Sequence, residues 1–568
     1  MFKVGASRIP ITPELAKLSY DLVLLGWGDP KHKAKSIETQ IHCRTIAFEA
    51  EDGARLIFAC VELCFVTDSL RRGVMDRLTL RYSHLNIQES ELVITATHTH
   101  NGPAGYCHSI LYSAPSMGYY PEVYNRIVVG ITESIIQAWN KKVPATLSHA
   151  ADTIPLSEPV AFNRAIYAWN KNVDVTKYGY RQRDQALDRT MDVLMAVDEE
   201  KKPIAMISWF AVHCTSVHRD FFGIHSDNKG VASLQIEKLW SEQGHPDTVA
   251  IFAQGASGDA SPNYQRYFLK RETRGKFRDD LQSCEYNAKI QSDFALGLIA
   301  KAKPLEGEEI SSIISHHDFT QVPVAPDFVG GKIGITTGPA ALGCPFMAGT
   351  AEGRATSYLT VKVLNTVLKA VYFFKGRKLY RPAHGKKAIC IEMTDAKIFG
   401  DSNPRTLPIP PWVEPLIQVL RFWTNEGIFT GQALSPHVMP LQLFRIGELG
   451  FAALPGEFTT QAGVRMRKML EPELAAMGVK RLILAGYANA YAGYVTTPEE
   501  YQEQNYEGAC THFGLYTLPG YLTLFRQLAY EWLNKSLLEE KVEDLGPPEM
   551  KSTEYLTKLS IHYYHKRS

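Results

Sequence analysis

The chain has 568 residues, with 61 Lys plus Arg balanced against 60 Asp plus Glu. That length allows a large core, and the even charge argues against a nucleic-acid partner, which calls for a basic excess. No run reaches the roughly 18 apolar residues of a membrane span, and the opening MFKVGASRIPITPE has no apolar segment of secretory length.

In chain order, strand-like apolar runs alternate with helical patterns. RLIFACVEL (55–63) precedes the helical DSLRRGVMDRL, and ELVITAT (91–97) runs into THTHNGPAGY. Pro121 opens a helix in which Val123, Ile127, Ile131, Ile135 and Trp139 form one apolar stripe. The charged tract LKRETRGKFRDD (269–280) reads as a solvated helix face. DTVAIFAQ (247–254), LGFAALP (449–455) and RLILAGY (481–487) are further strand-like runs, each followed by a polar or Gly-rich segment. PRTLPIPPWVEP (404–415) reads as an extended connection. This alternation predicts an α/β class, with mixed β-sheets flanked by helices in one large domain over 1–540 and a peripheral tail over 541–568. The nine cysteines include no CxxC pair. They read as buried free thiols of a reducing compartment rather than a disulfide framework or thiolate metal cluster.

The reactive residues cluster just past the strand-like runs, where α/β folds line their ligand crevices. In an extended segment residues i and i+2 share a side, so His98 and His100 present two imidazoles to one cavity. Neutral imidazole is a good zinc ligand; a pair of hydrogen-bonded structural histidines is the alternative. His213 ends an apolar run as His98 does, whereas His218 and His225 fall in a charged, aromatic loop and are expected to be exposed. Ser261, before a proline in SGDASPN, is held in a defined orientation, but no neighbouring histidine activates it. Glu457 reads either as a helix-start charge or as a carboxylate ligand. Tyr494 is one of several tyrosines in YANAYAGYVTTPEEY, and Arg164 in AFNRAIY is unremarkable alone.

Taken together, THTHNGPAGY, FNRA, WFAVHCTS, SDNKG, FAQGASGDASPN, ALGCPFMAGTAEG, LPGEFTTQAG and YAGYVTTPEEYQEQNYEGACTHFG occur in this order. They resemble the neutral/alkaline ceramidase family, from about residue 4 to about residue 535. The resemblance implies a zinc-dependent amidohydrolase that cleaves the N-acyl amide of ceramide to a sphingoid base and a fatty acid. An amidase for another N-acyl lipid or amine is the alternative, and a non-catalytic lipid-binding protein a third. The resemblance assigns zinc to His98, His213, Glu457 and Tyr494, makes Ser261 the catalytic serine, and places His100, Arg164 and Tyr506 in the site lining. It leaves two routes open: attack by Ser261 through an acyl-enzyme, or attack by water activated at the metal. His100, Arg164 and Tyr506 would stabilise the oxyanion or protonate the leaving amine. The chain departs from the family's usual pattern in lacking a signal peptide, in lacking a C-terminal immunoglobulin-like domain, and in the loop 217–226. The expected setting is therefore cytoplasmic, or export without a Sec signal. Peripheral membrane contact is expected through Phe221 and Phe222; the oligomeric state is left open.

Overall fold

The structure, a computed structural model, describes residues 1–267, 272–353, 361–368, 380–398, 415–428, 433–534 and 541–560. The larger sheet is built from β1 (Phe2–Pro10), β2 (His42–Glu49), β3 (Arg55–Val61), β4 (Leu92–Ala96), β5 (Val143–Thr153), β6 (Thr190–Asp198), β7 (Pro203–Phe210) and β8 (Val249–Gln254). Their order is β8-β7-β6-β5-β1-β2-β3-β4, with Lys303–Pro304 added beside β5. The centre is antiparallel, whereas the outermost pairs, β7–β8 and β3–β4, are parallel. A second sheet runs β9 (Ile310–Asp318), β10 (Val438–Ile446), β11 (Leu449–Ala453) and β12 (Arg481–Ala485), with its last pair parallel.

The period-2 pattern of the strands explains how the sheets stack. In β3, Leu56, Phe58 and Cys60 face the second sheet, where they share a core with Phe444, Phe451 and Ile483. Phe444 and Phe451 stack at 4.6 Å, and Trp209 of β7 packs on Phe451 at 5.2 Å. The alternate residues Ile57, Ala59 and Val61 face the opposite way, into a core shared with Ile127, Ile131 and Ile135 of α2 (Pro121–Asn140). Each of those isoleucines is fully buried, which is worth about 1.5–3 kcal/mol apiece. α1 (Asp68–Arg81) packs beside α2, and α3 (Asp227–Glu242) and α4 (Asp280–Ile299) cover the β7–β8 end of the same face. α5 (Thr460–Leu474) and α6 (Thr517–Trp532) cover the outer face of the second sheet. The result is a helix–sheet–sheet–helix stack, the mixed α/β class expected from the alternation. No helix among the described residues is long and apolar enough to cross a membrane.

The two edges of the large sheet are tied together. Gln254, the last residue of β8, donates through Nε2 to Val212 O beyond β7 (2.5 Å) and to Thr97 O beyond β4 (2.9 Å). Thr99 and Cys214 then form a parallel bridge. The strand ends at opposite edges thus meet at one seam.

One local expectation is corrected. In the tract 269–280, Glu272–Arg274 is a buried strand paired with Gln265–Tyr267; of its described residues, 272–280, only Asp280 belongs to a helix, α4, capped by the Asp279 side chain. Arg274 is buried because its guanidinium pairs with Asp220 and Asp280, which a charge run in sequence does not reveal. The proline-rich stretch 404–414 lies outside the described residues, as does 561–568. Residues 541–560 lie against the body: Leu545 N donates to His316 O (2.9 Å), and Leu559 O accepts from Trp423 Nε1 (3.3 Å).

Candidate active site

β4 is buried along its whole length, and its ladder to β3 extends through Thr97 N→Val61 O and His98 N→Leu63 O, both 3.0 Å. At His98 the backbone turns left-handed, with φ of 71°. Such a conformation costs about 1–3 kcal/mol and persists only where its surroundings impose it. His98 and His100 do meet, with their Nε2 atoms 3.1 Å apart, but through this bend rather than by alternation along a strand. His98 Nδ1 donates to Cys64 O at 2.6 Å. His213, beyond β7, is fixed in the same way: its Nδ1 faces Ser257 O (2.8 Å) and Ala260 O (3.1 Å). Carbonyls only accept, so both histidines carry the proton on Nδ1 and present a bare Nε2 lone pair.

Both lone pairs point at one carboxylate. Glu457 Oε2 stands 3.6 Å from His98 Nε2 and 3.2 Å from His213 Nε2. Burial pushes the Glu457 carboxyl up, but the two imidazoles beside it outweigh that and hold it well below the usual range. Burial also pushes His98 down to about 4, so its imidazole is neutral beside the ionised carboxylate. Tyr487 and Tyr491 donate their hydroxyls to the same carboxylate. Three acceptor atoms directed at one point, within 4.8 Å of one another, repel unless a cation lies between them. Neutral imidazole and carboxylate are a donor set that suits zinc. Cys64 also approaches His98 and His100, but burial raises its thiol well above the ordinary value, so it offers no thiolate. The helix-start reading of Glu457 falls away. It lies in the two-residue strand Glu457–Phe458, and the first amide of α5, Thr460 N, is capped instead by Asp259 Oδ1 at 2.7 Å.

Glu457–Phe458 pairs in parallel with Tyr494–Val495, setting Tyr494 opposite Glu457. The Tyr494 hydroxyl accepts from Arg164 Nη2 at 2.8 Å, and Tyr506 stands edge-on to its ring at 5.5 Å. Arg164 follows the short strand Phe162–Asn163, which pairs with Ala260–Ser261. Its guanidinium is buried and committed: to Glu507 and Glu352 (2.9 Å each), to Gly258 O (2.9 Å) and to Tyr494. Ser261 Oγ donates to Glu352 Oε1, which also accepts from Thr215 Oγ1 at 3.1 Å. Burial raises the Glu352 carboxyl, and Arg164 more than compensates, keeping it ionised.

All eight residues singled out in the sequence therefore lie in one region, seven of them in or just beyond strands and Tyr506 at the start of the short helix Tyr506–Ala509. Glu352, Tyr487, Tyr491 and Glu507 join them unannounced. Glu352 sits in a loop within the family-like segment 341–353, separated from the short strand Ala341–Gly343 by the turn Cys344–Ala348; the tyrosines were hidden among equals. His218 and His225, expected to be exposed, are 0 % and 4 % exposed. Phe221 and Phe222 are half-buried, Phe222 packing between His32 and Lys35.

The stacked sheets and this focus of imidazole, carboxylate, serine and arginine define an enzyme with a cation-ready hydrolytic site. A family described as "Neutral/alkaline non-lysosomal ceramidase, N-terminal" matches residues 2–411 and 424–523, and the chain belongs to that family of amide hydrolases. Among its relatives, neutral ceramidase B of Dictyostelium discoideum is 29% identical, over 96% of this chain and 74% of that protein. Neutral ceramidase of Pseudomonas aeruginosa is 30% identical, over 93% of this chain and 72% of its own length. The crystal structure of the Pseudomonas aeruginosa neutral ceramidase superposes with a TM-score of 0.74 at 26% identity, covering 96% of this chain and 76% of that one. A structure described as "Ceramidase complexed with C2" gives a TM-score of 0.77 at 27% identity, over 97% and 78% of the two chains.

Proposed function

We propose that this protein hydrolyses the N-acyl amide of ceramide to a fatty acid and a sphingoid base, with zinc held by His98, His213, Glu457 and Tyr494. The observation that carries the reading is the convergence of two bare imidazole nitrogens and an ionised carboxylate on one point, beside a serine hydrogen-bonded to a second carboxylate. Zinc bound there would polarise the amide carbonyl as a Lewis acid.

The chain's own groups account for the rest. Ser261 Oγ attacks the carbonyl carbon while Glu352, already accepting its hydrogen bond, fixes the direction of the hydroxyl. Glu352 takes the serine proton as Oγ bonds to the carbonyl carbon and passes it to the amine nitrogen as the C–N bond breaks; water then adds to the acyl-serine ester, giving a proton through the same carboxylate back to Ser261 Oγ as the fatty acid leaves. His100 and Tyr506 line the site at the oxyanion and leaving amine. Arg164 has most of its donors engaged, so it serves chiefly as a positioning residue that holds Tyr494, Glu352 and Glu507 in place. Metal analysis of purified protein, together with fatty-acid release from labelled ceramide and from other N-acyl amines, tests the reading. A metal-free but fully active protein would remove the zinc, and release only from the other amines would remove ceramide.

A further inference from the structure

The segment before β2 closes over His100. At Gly26 a Cβ would come within 2.3 Å of His100 Cγ, so only glycine allows this approach. The next residue, Trp27, stands edge-on to His100 at 4.9 Å and lies against His218 at 5.0 Å. Gly353, immediately after Glu352, lies under the same indole, where a Cβ would meet the ring at 2.8 Å. Trp27 is thus one wall shared by His100, by the loop of the serine's partner Glu352, and by His218.

His218 is the unusual member. It is fully buried, yet neither ring nitrogen has a hydrogen-bond partner among the described residues. The nearest carboxylates, Asp220 and Glu272, stand 3.8 and 4.0 Å from Nδ1 and are taken by Arg274 and Arg219 at 2.6 Å each. Trp27 Nε1 and His100 Nδ1 are likewise buried without such a partner. Native proteins rarely leave polar groups in this state away from a site of action.

We propose that His218, together with Trp27, recognises a hydroxyl group on the amine portion of the substrate. This rests on the amidase reading above. The acyl chain of an N-acyl lipid has nothing to hydrogen-bond, so polar recognition falls to the amine side. Burial, with Arg274 nearby, pushes His218 down to about 4, so its ring is neutral and offers one N–H and one lone pair. A substrate hydroxyl can accept from the ring N–H or donate to the ring lone pair, and so satisfies whichever of the two nitrogens faces it.

The test compares ceramide with analogues of equal chain length lacking one or the other hydroxyl of the base. The wild-type protein is expected to lose about tenfold or more in kcat/KM on one of the deoxy analogues, as sites built around a hydroxyl do. His218→Phe should lower activity on ceramide by a similar factor and become indifferent to that hydroxyl, and His218→Asn should recover part of the preference. Trp27→Phe, which keeps an aromatic wall but removes the indole N–H, should weaken the preference while activity on the deoxy analogue is retained. Calorimetric binding of the free sphingoid base and its deoxy forms reads the same preference without turnover. Hydroxyl preference in binding with no fatty-acid release would overturn the amidase reading and sustain this one. Ceramide cleavage with a preference that survives His218→Phe, or an equal loss on all substrates, would overturn the His218 assignment alone.

Discussion

At Ser261, replacing the hydroxyl by hydrogen removes the proposed nucleophile but none of the acceptors around Glu457. Ser261→Ala should therefore reduce fatty-acid release by about 10³-fold or more while leaving metal content unchanged, as read by single-turnover kinetics and elemental analysis. His98→Ala and Glu457→Ala each delete one of the converging acceptors. Both should lose bound zinc on dialysis and lose activity in the same proportion; full occupancy in either variant would contradict the ligand set. His98, His100, His213, Ser261 and Glu457 could be singled out from their own neighbourhoods, whereas Tyr494, Arg164 and Tyr506 were picked out only by the family resemblance. Glu352 was not singled out, because its role depends on a contact with Ser261 from 91 residues away. His218 misread for the opposite reason: charged neighbours suggest solvent, but here Asp220, Glu272 and Arg274 neutralise one another and allow the imidazole to be buried.

Among the elements, the turn Glu89–Glu91 holds the strand that delivers His98. Glu89 pairs with Arg71 of α1 and lies 3.3 Å from His316 of β9, so it joins three elements at the start of β4. Partial burial raises its carboxyl, but the hydrogen bond from His316 and the Arg71 charge outweigh this and bring it down to about 2. A folded-state value below the unfolded one means that the unfolded chain binds the proton more tightly. The stabilisation is therefore complete above about pH 4.5 and lost as pH falls toward 2. Urea denaturation of wild type and Glu89→Gln should show a gap that is constant above pH 5 and shrinks below pH 4.5; a gap independent of pH would contradict it. The strands and amphipathic helices were readable because their burial is periodic, as in the stripe of α2. Glu272–Arg274 was not, since three buried residues, two of them charged and paired across the fold, carry no period.

For the molecule as a whole, all nine cysteines are buried and unpaired. Reductant should leave Tm and activity unchanged, and a thiol reagent should label no cysteine in the native protein but nine after unfolding. Loss of Tm with reductant would show a disulfide. The stacking of two sheets was not legible from the strands alone. Alternating faces show that both sides of β3 are covered but not by what, and it is the apolar pairing of Phe58 with Phe444 and Phe451 that decides it.

The seam at Gln254 also sets a schedule. The ligand-bearing strand ends are spread from the first fifth of the chain to its last, and His98 cannot meet Glu457 until β4, β7 and β11 are all in place. During synthesis, which runs from the N-terminus, a ribosome carrying the first 400 residues holds both histidines and the serine but not the carboxylate that completes their cluster. Completion of the candidate metal site is thus a late event in the life of each new chain. An interrupted translation product has neither the metal site nor the hydrolytic potential of the finished one.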